Sequence, residues 1–198
     1  MIKLLKDSSA LISPELFLHI SLFFERAIAA ADKYFFIHAT NNVILRKMKG
    51  MSELLYVDIP LTVRYAETDR MGIVHHSNYP VWFEVGRTEF IKQNGISYSD
   101  IEKKGILLPL LELKCRFISS STYEDKIIVR TSIKSYTKTR LNFYYEVFKE
   151  SNMESPITTG ETVHVWTTPN LRPVNLQKYD VELFNIIARN AGADMEQG

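Results

Sequence analysis

One segment combines a strand pattern, a loop and an aromatic helical pattern without interruption, and it constrains the fold more than any other feature. Apolar and polar residues alternate between residues 57 and 65, which predicts a half-buried strand. The next pattern is helical, with large apolar residues that would line one face: Tyr79, Trp82, Phe83 and Phe90. Gly86 lies on the same face in the middle of this helix, where glycine costs about 1 kcal/mol relative to alanine. We therefore expect the helix to approach a sheet closely at Gly86.

The loop between strand and helix carries a carboxylate. Asp69 stands three residues before Gly72, which can adopt a backbone conformation that other residues resist. Ser77 or Asn78 can cap the helix, and Pro80 is tolerated in its first turn. Unpaired N–H groups at a helix N-terminus can hold the oxygen of a carbonyl under attack, and a nearby carboxylate can activate water or attack the carbonyl itself. The arrangement suits acyl transfer or hydrolysis, but an Asp before a helix is too common to identify a reaction.

Residues 65–89 (YAETDRMGIVHHSNYPVWFEVGRTE) resemble the signature of hotdog-fold acyl-CoA thioesterases of the 4-hydroxybenzoyl-CoA thioesterase family. Within that family they are most similar to the bacterial short acyl-CoA thioesterases, and the similarity extends from about Val57 to about Pro173. The resemblance implies an enzyme that hydrolyses acyl-CoA thioesters to the free acid and coenzyme A. The positions that match at fixed spacing are Asp69, Gly72, His76, Tyr79, Phe83 and Arg87.

The resemblance also implies roles for individual residues. Asp69 would be the general base or the nucleophile, and these two mechanisms stay open. His76 is a further catalytic candidate, since the helix N-terminal amides near His76 and Ser77 would polarise the thioester carbonyl. Glu84 is the rival carboxylate, because a sister branch of hotdog thioesterases uses a helix glutamate. Gly72 and Tyr79 are expected to support the site.

Three cationic residues are candidates for further contacts. Lys138 and Arg140 flank a turn between predicted strands and are candidates for binding coenzyme A, since cationic side chains bind phosphate groups, although a solvated turn also explains them. Arg87 is expected to form a buried or interfacial ion pair. No His/Cys/Asp cluster has the spacing of metal ligands, and there is no glycine-rich phosphate loop. We expect no metal and no cofactor, because coenzyme A is part of the substrate and a product.

The order of the remaining patterns predicts an α+β fold. Alternation predicts strands at residues 111–117, 127–134, 141–147 and 157–167, and helical spacing predicts a short helix at 99–104 and a closing helix at 179–190. One strand, one long helix and four strands fit the hotdog fold, an antiparallel sheet of about five strands wrapped around one long central helix. Such a sheet leaves open edges. The resemblance accordingly implies a homodimer or homotetramer with acyl-CoA bound between subunits.

The chain divides into three parts by pattern. Residues 1–50, which hold a helical pattern at 16–30, are expected to be an N-terminal extension. Two interpretations of that extension stay open. It is either dispensable, which includes a mis-assigned start before Met51, or a helix that docks on the domain or on a partner. The thioesterase domain is expected at 51–175, and a C-terminal helix and tail at 176–198.

Composition narrows the class of protein. A net charge of +1 gives no indication of nucleic-acid or membrane-surface binding, and the apolar run at 16–24 is too short to span a membrane. The single cysteine, Cys115, excludes an intramolecular disulfide framework and favours a cytoplasmic protein. Two alternative functions stay open. A hotdog enoyl-CoA hydratase or dehydratase would need a His–acid pair, and a non-catalytic acyl-CoA-binding module would have no need of Asp69.

Overall fold

The computed structural model describes the backbone at residues 35–38 and 43–47 and the chain from residue 56 to residue 191. A short 3₁₀ turn, Tyr65–Glu67, follows the third strand. The strands are β1 (Phe35–His38), β2 (Val43–Lys47), β3 (Tyr56–Thr62), β4 (Leu110–Phe117), β5 (Lys126–Tyr136), β6 (Arg140–Lys149) and β7 (Thr158–Val165). The helices are α1 (Asn78–Gln93), α2 (Tyr98–Lys103), α3 (Leu176–Tyr179) and α4 (Val181–Asn190).

All seven strands form one antiparallel sheet in the order β1-β2-β3-β5-β6-β7-β4. The α+β class and the five strands predicted between residues 57 and 167 are confirmed. Strands β1 and β2 lie within the predicted extension and were not expected; β2 pairs with β3 through Val43 and Ile44. The dispensability of residues 1–50 stays a prediction, and the helical pattern at 16–30 lies outside the described residues.

Helix α1 packs against the inner face of the sheet through its aromatic residues. The ring of Phe83 stacks on Tyr145 with a centroid distance of 4.5 Å. A methyl group added at Gly86 would lie 3.0 Å from Cγ1 of Val129 and closer still to Oγ1 of Thr131. The predicted close approach of the helix at Gly86 is therefore confirmed, since a larger residue would have to displace the Thr131 and Val129 side chains of the sheet.

A chain of buried polar groups lies on β6 and β7. The hydroxyl of Thr162 forms hydrogen bonds with the Tyr145 hydroxyl at 2.8 Å and with Nε2 of His164 at 2.9 Å. Nδ1 of His164 donates to the carbonyl oxygen of Leu108 at 3.2 Å. Burial and, to a smaller extent, the positive charge of Arg87 lower the pKa of His164 to about 4. The imidazole is thus neutral and belongs to the structural core.

The closing segment contains the predicted helix and one more. The helix expected at 179–190 is α4 (Val181–Asn190), and the short helix α3 that precedes it at Asp180 was not predicted. Asp180 has an extended backbone (φ −148°), and its carboxylate accepts a hydrogen bond from the N–H of Leu183 at 2.9 Å. Asp180 therefore begins a new helix rather than continuing the first one.

Strand β4 is one edge of the sheet and is unusually exposed for an apolar strand. Leu113 and Phe117 have exposed fractions of 38% and 51%, and Leu111 in the β-bulge is also exposed. The opposite face of β4 is charged. Over residues 35–38, 43–47 and 56–191, no helix combines the length and apolar character that a membrane crossing requires.

Candidate active site

The loop that carries Asp69 is fixed by its own backbone. The N–H of Asp69 donates to the carbonyl of Ile73 at 2.9 Å, and the N–H of Gly72 donates to the carbonyl of Asp69 at 2.9 Å. One carboxylate oxygen of Asp69 accepts the N–H of Met71 at 2.7 Å. Gly72 has φ +76°, so the predicted need for glycine is confirmed. These bonds hold the half-buried Asp69 carboxylate in one orientation.

The entry into α1 leaves a backbone donor free. The N–H of His76 has no acceptor within residues 56–191. Ser77 precedes the helix with helical dihedral angles, and its hydroxyl pairs with Nδ1 of His75 at 2.8 Å. The side-chain amide of Asn78 donates to the carbonyls of Glu67 and His75. The prediction that Ser77 or Asn78 caps the helix is therefore wrong, because both side chains bind the preceding loop instead.

A cavity of about 320 Å³ joins the Asp69 loop, the start of α1 and the end of β4. Tyr79 is buried at the cavity wall, where its ring meets Phe117 edge to face at 5.2 Å. Asp69 and His76, predicted from separate parts of the motif, thus line one space. The lining residues are Asp69, Met71, Ile73, Val74, His76, Tyr79, Phe117, Ile118, Ser119 and Ser120.

Three other candidates lie away from this cavity. Glu84 is in the second turn of α1 with its side chain 68% exposed, and its carboxylate lies 3.4 Å from the guanidinium of Arg87. Lys138 and Arg140 lie at the β5–β6 turn. The strand register places that turn at the opposite end of the sheet from the Asp69 loop, since Lys126 of β5 pairs with Thr62 and Tyr136 pairs with Leu141.

The expected ion pair of Arg87 is only partly formed within the chain. Besides the contact with exposed Glu84, the guanidinium lies over the Tyr98 ring at 5.3 Å. Its Nη1 atom is buried and has no hydrogen-bond partner within residues 56–191. A buried, unsatisfied guanidinium nitrogen is costly, so this atom calls for an acceptor from outside the described residues.

Glu67 was not predicted as a site residue, although it is the most buried carboxylate near the cavity, with an exposed fraction of 4%. Its oxygens accept the backbone N–H of Arg64 at 2.7 Å, the guanidinium of Arg64 at 2.8 Å and the indole N–H of Trp82 at 3.0 Å. Burial raises its pKa, but these donors and the charge of Arg64 outweigh burial and leave the pKa below its ordinary value. Glu67 lies three residues after Arg64, the residue that precedes the 3₁₀ turn, and this is the spacing of the carboxylate in a capping box.

In the part of the chain that the structure describes, no three His, Cys, Asp or Glu side chains converge as metal ligands would. The site consists instead of a carboxylate, a free helix N-terminal N–H and an apolar wall. Such a set can place a nucleophile or a base beside a polarised carbonyl.

Comparisons with known proteins agree with this geometry. Residues 63–178 match the thioesterase-like superfamily. The putative acyl-CoA thioesterase YneP of Bacillus subtilis is 37% identical over 118 residues, which cover 60% of this chain and 85% of that protein. The acyl-acyl carrier protein thioesterase ATL3 of Arabidopsis thaliana is 33% identical over 132 residues, covering 67% of this chain and 68% of that protein.

A solved structure gives the same assignment. The DHNA-CoA thioesterase of Staphylococcus aureus superposes with a TM-score of 0.64 at 34% identity, covering 68% of this chain and 89% of that one. The predicted hotdog fold and the predicted acyl-CoA thioesterase activity are confirmed. The chain belongs to the thioesterase-like superfamily.

Proposed function

We propose that the protein hydrolyses acyl-CoA thioesters in the cavity beside Asp69, and that Asp69 and the His76 N–H are the catalytic groups. The observation that carries this proposal is that Asp69 and His76, the residues that own the carboxylate and the N–H, line the same 320 Å³ space. The wall of that space is apolar where Ile73, Phe117 and Ile118 contribute, which suits an acyl group.

In the proposed mechanism, the thioester carbonyl oxygen accepts a hydrogen bond from the His76 N–H. That donor lies at the positive end of α1, where negative charge developing on the oxygen is stabilised. Asp69 either directs a water molecule onto the carbonyl carbon or attacks it to form an acyl anhydride that water then opens. In both routes the C–S bond breaks and coenzyme A leaves as a thiolate that takes up a proton.

The same proposal includes the absence of a metal or a separate cofactor. A thiolate leaves readily, so the carbonyl needs no Lewis acid, and coenzyme A enters with the substrate. The apolar and carboxylate lining of the cavity is consistent with this chemistry. A cytoplasmic location is part of the proposal because the single cysteine suits a reducing compartment.

A homodimer through the β4 edge completes the proposal. This edge exposes Leu111, Leu113 and Phe117, and an open apolar edge strand is a template for pairing with a second copy. Phe117 also forms part of the cavity wall, so a partner on this edge would close the cavity. Further association to a tetramer stays a prediction.

The decisive experiment measures coenzyme A release from short, medium, long and aromatic acyl-CoAs. One acyl group is also offered on acyl carrier protein, because one relative is an acyl-acyl carrier protein thioesterase. Asp69→Asn should lower kcat about 10²–10⁴-fold while acyl-CoA still binds, since the amide removes the charge but keeps an oxygen for the Met71 N–H. Glu84→Gln is the matched control and should retain the wild-type rate.

Each alternative has its own outcome. If Glu84→Gln loses activity and Asp69→Asn keeps it, Glu84 is the catalytic carboxylate instead. Addition of water to an enoyl-CoA would favour a hydratase. Binding of acyl-CoA without turnover of any thioester would favour a binding module and leave Asp69 as a loop residue. Lys138→Ala tests coenzyme A contacts and should raise KM if the β5–β6 turn reaches the nucleotide of a substrate held by the partner subunit.

A further inference from the structure

The carboxylate of Glu67 joins two elements that both belong to the proposed site. It binds two donors of Arg64, which precedes the 3₁₀ turn after β3, and the indole N–H of Trp82 in helix α1. The side chain is almost fully buried, whereas the Arg64 side chain is 72% exposed. The 3₁₀ turn that precedes the Asp69 loop is therefore attached to the body of α1 through one carboxylate.

The backbone carbonyl of Glu67 makes a second connection in the same direction. It accepts the N–H of His75 at 2.8 Å and the side-chain amide of Asn78 at 2.8 Å. Glu67 is thus connected to both polar groups of the proposed site. Asp69 lies two residues after Glu67, and His76 directly follows His75, whose N–H binds the Glu67 carbonyl.

We infer that Glu67 is a positioning residue that fixes the Asp69 carboxylate relative to the His76 N–H through its bonds to Trp82 and His75. The inference rests on the proposed function, in which these two groups act on one carbonyl. Displacement of a reacting group by about 1 Å can cost about 100-fold in rate. Loss of the hydrogen bond between Glu67 and Trp82 should therefore lower kcat, while the apolar wall of the cavity stays intact.

The sharpest perturbation is Trp82→Phe, which removes the indole donor and keeps an aromatic ring in the core. Glu67→Gln changes the other partner. Its amide keeps one oxygen, but its NH₂ group then faces a backbone N–H or a guanidinium that needs an acceptor. Trp166→Phe is the matched control, because Trp166 is also fully buried but follows β7 at the end of the sheet away from the cavity.

Kinetics and a spectroscopic signal are measured together. We expect Trp82→Phe and Glu67→Gln to lower kcat about 10-fold or more, with KM and the acyl-CoA dissociation constant changed by less than about 3-fold, and Trp166→Phe to stay near wild type. With ¹⁵N-labelled tryptophan, the indole N–H signal of Trp82 should move in Glu67→Gln while that of Trp166 does not. The chain has two tryptophans, so Trp82→Phe assigns both signals.

The outcomes separate the inference from the function on which it rests. A moved Trp82 signal with unchanged kcat would overturn the positioning role and leave Glu67 as a structural residue. A loss of kcat matched by loss of binding, or by an equal loss in Trp166→Phe, would overturn it as a general effect of stability. Absence of turnover by the wild type would refute the proposed function and the inference with it, while the indole signal would still report whether the bond exists.

Discussion

Buried His164 makes the stability of the fold depend on pH between the pKa of its imidazole in the folded protein and that in the unfolded chain. Its side chain is 1% exposed, and burial together with the charge of Arg87 places its pKa at about 4. In the unfolded chain the same imidazole takes up a proton near pH 6.5. Between these values the unfolded state binds more protons than the folded state, so the free energy of unfolding falls as the pH falls.

The size of the effect follows from the two pKa values. Each pH unit within the window is worth about 1.4 kcal/mol, so protonation of the unfolded chain lowers the unfolding free energy by about 2 kcal/mol at pH 5. The full loss is about 3 kcal/mol once the pH reaches the folded value of about 4. Above about pH 7 the contribution of His164 is fully present and does not change.

Urea unfolding at pH 7 and pH 5, at one fixed protein concentration, measures this loss. His164→Gln is the comparison, because its amide can still bond to Thr162. We expect the variant to be less stable at pH 7 but to lose about 2 kcal/mol less than the wild type between pH 7 and pH 5. Exposed His75 and His76 are present in both proteins, so they do not affect the difference in stability change between the two. An equal decline in both proteins would refute the assignment of the pH dependence to His164.

Three further predictions concern the helix, the thiol and the edge strand. Gly86→Ala should lower the unfolding free energy by about 1–2 kcal/mol, because overpacking against Thr131 outweighs the helix propensity gained; unchanged stability in urea would contradict this. Cys115 should react slowly with a chromogenic disulfide at pH 7.5, since burial raises its pKa to about 11; labelling at the rate of free cysteine would contradict this. Leu113→Lys should yield monomers in light scattering, and a persistent dimer would exclude the β4 edge as the interface.

The strands of the core could be predicted because each buries one face. Strand β5 illustrates this, since its inward residues are buried and alternate with partly exposed ones over most of Lys126–Tyr136. Strands β1 and β2 were not predicted. They are four and five residues long and mostly apolar, and periodicity alone does not distinguish such short runs from helix. The start of α4 was predicted two residues too early, although the capping Asp180 marks it. Helix α3 was not predicted, because its four residues are too few to show helical spacing.

The sequence predicted the part of the candidate site that comes from one continuous segment, but not the residues that distant segments contribute. The motif places Asp69 and His76 seven residues apart, and the loop between them returns on itself, so the two reach one cavity. Phe117 and Ser120 reach the same cavity from the end of β4, and no spacing in the sequence connects them with Asp69. Glu67 was missed for a similar reason, because its importance depends on the indole of Trp82, fifteen residues away.

The hydrogen bond from Met71 to Asp69 bears on how the role of Asp69 is tested. An Asp near a glycine commonly closes a turn, and Asp69 does so, since its carboxylate accepts the Met71 N–H at 2.7 Å. This bond does not compete with the proposed chemistry. It engages one oxygen and orients the carboxylate, while the other oxygen has no hydrogen-bond partner within residues 56–191. An Ala substitution would remove the turn and the charge together, whereas Asp69→Asn keeps the acceptor for Met71, so a loss of kcat in Asp69→Asn is attributable to the charge.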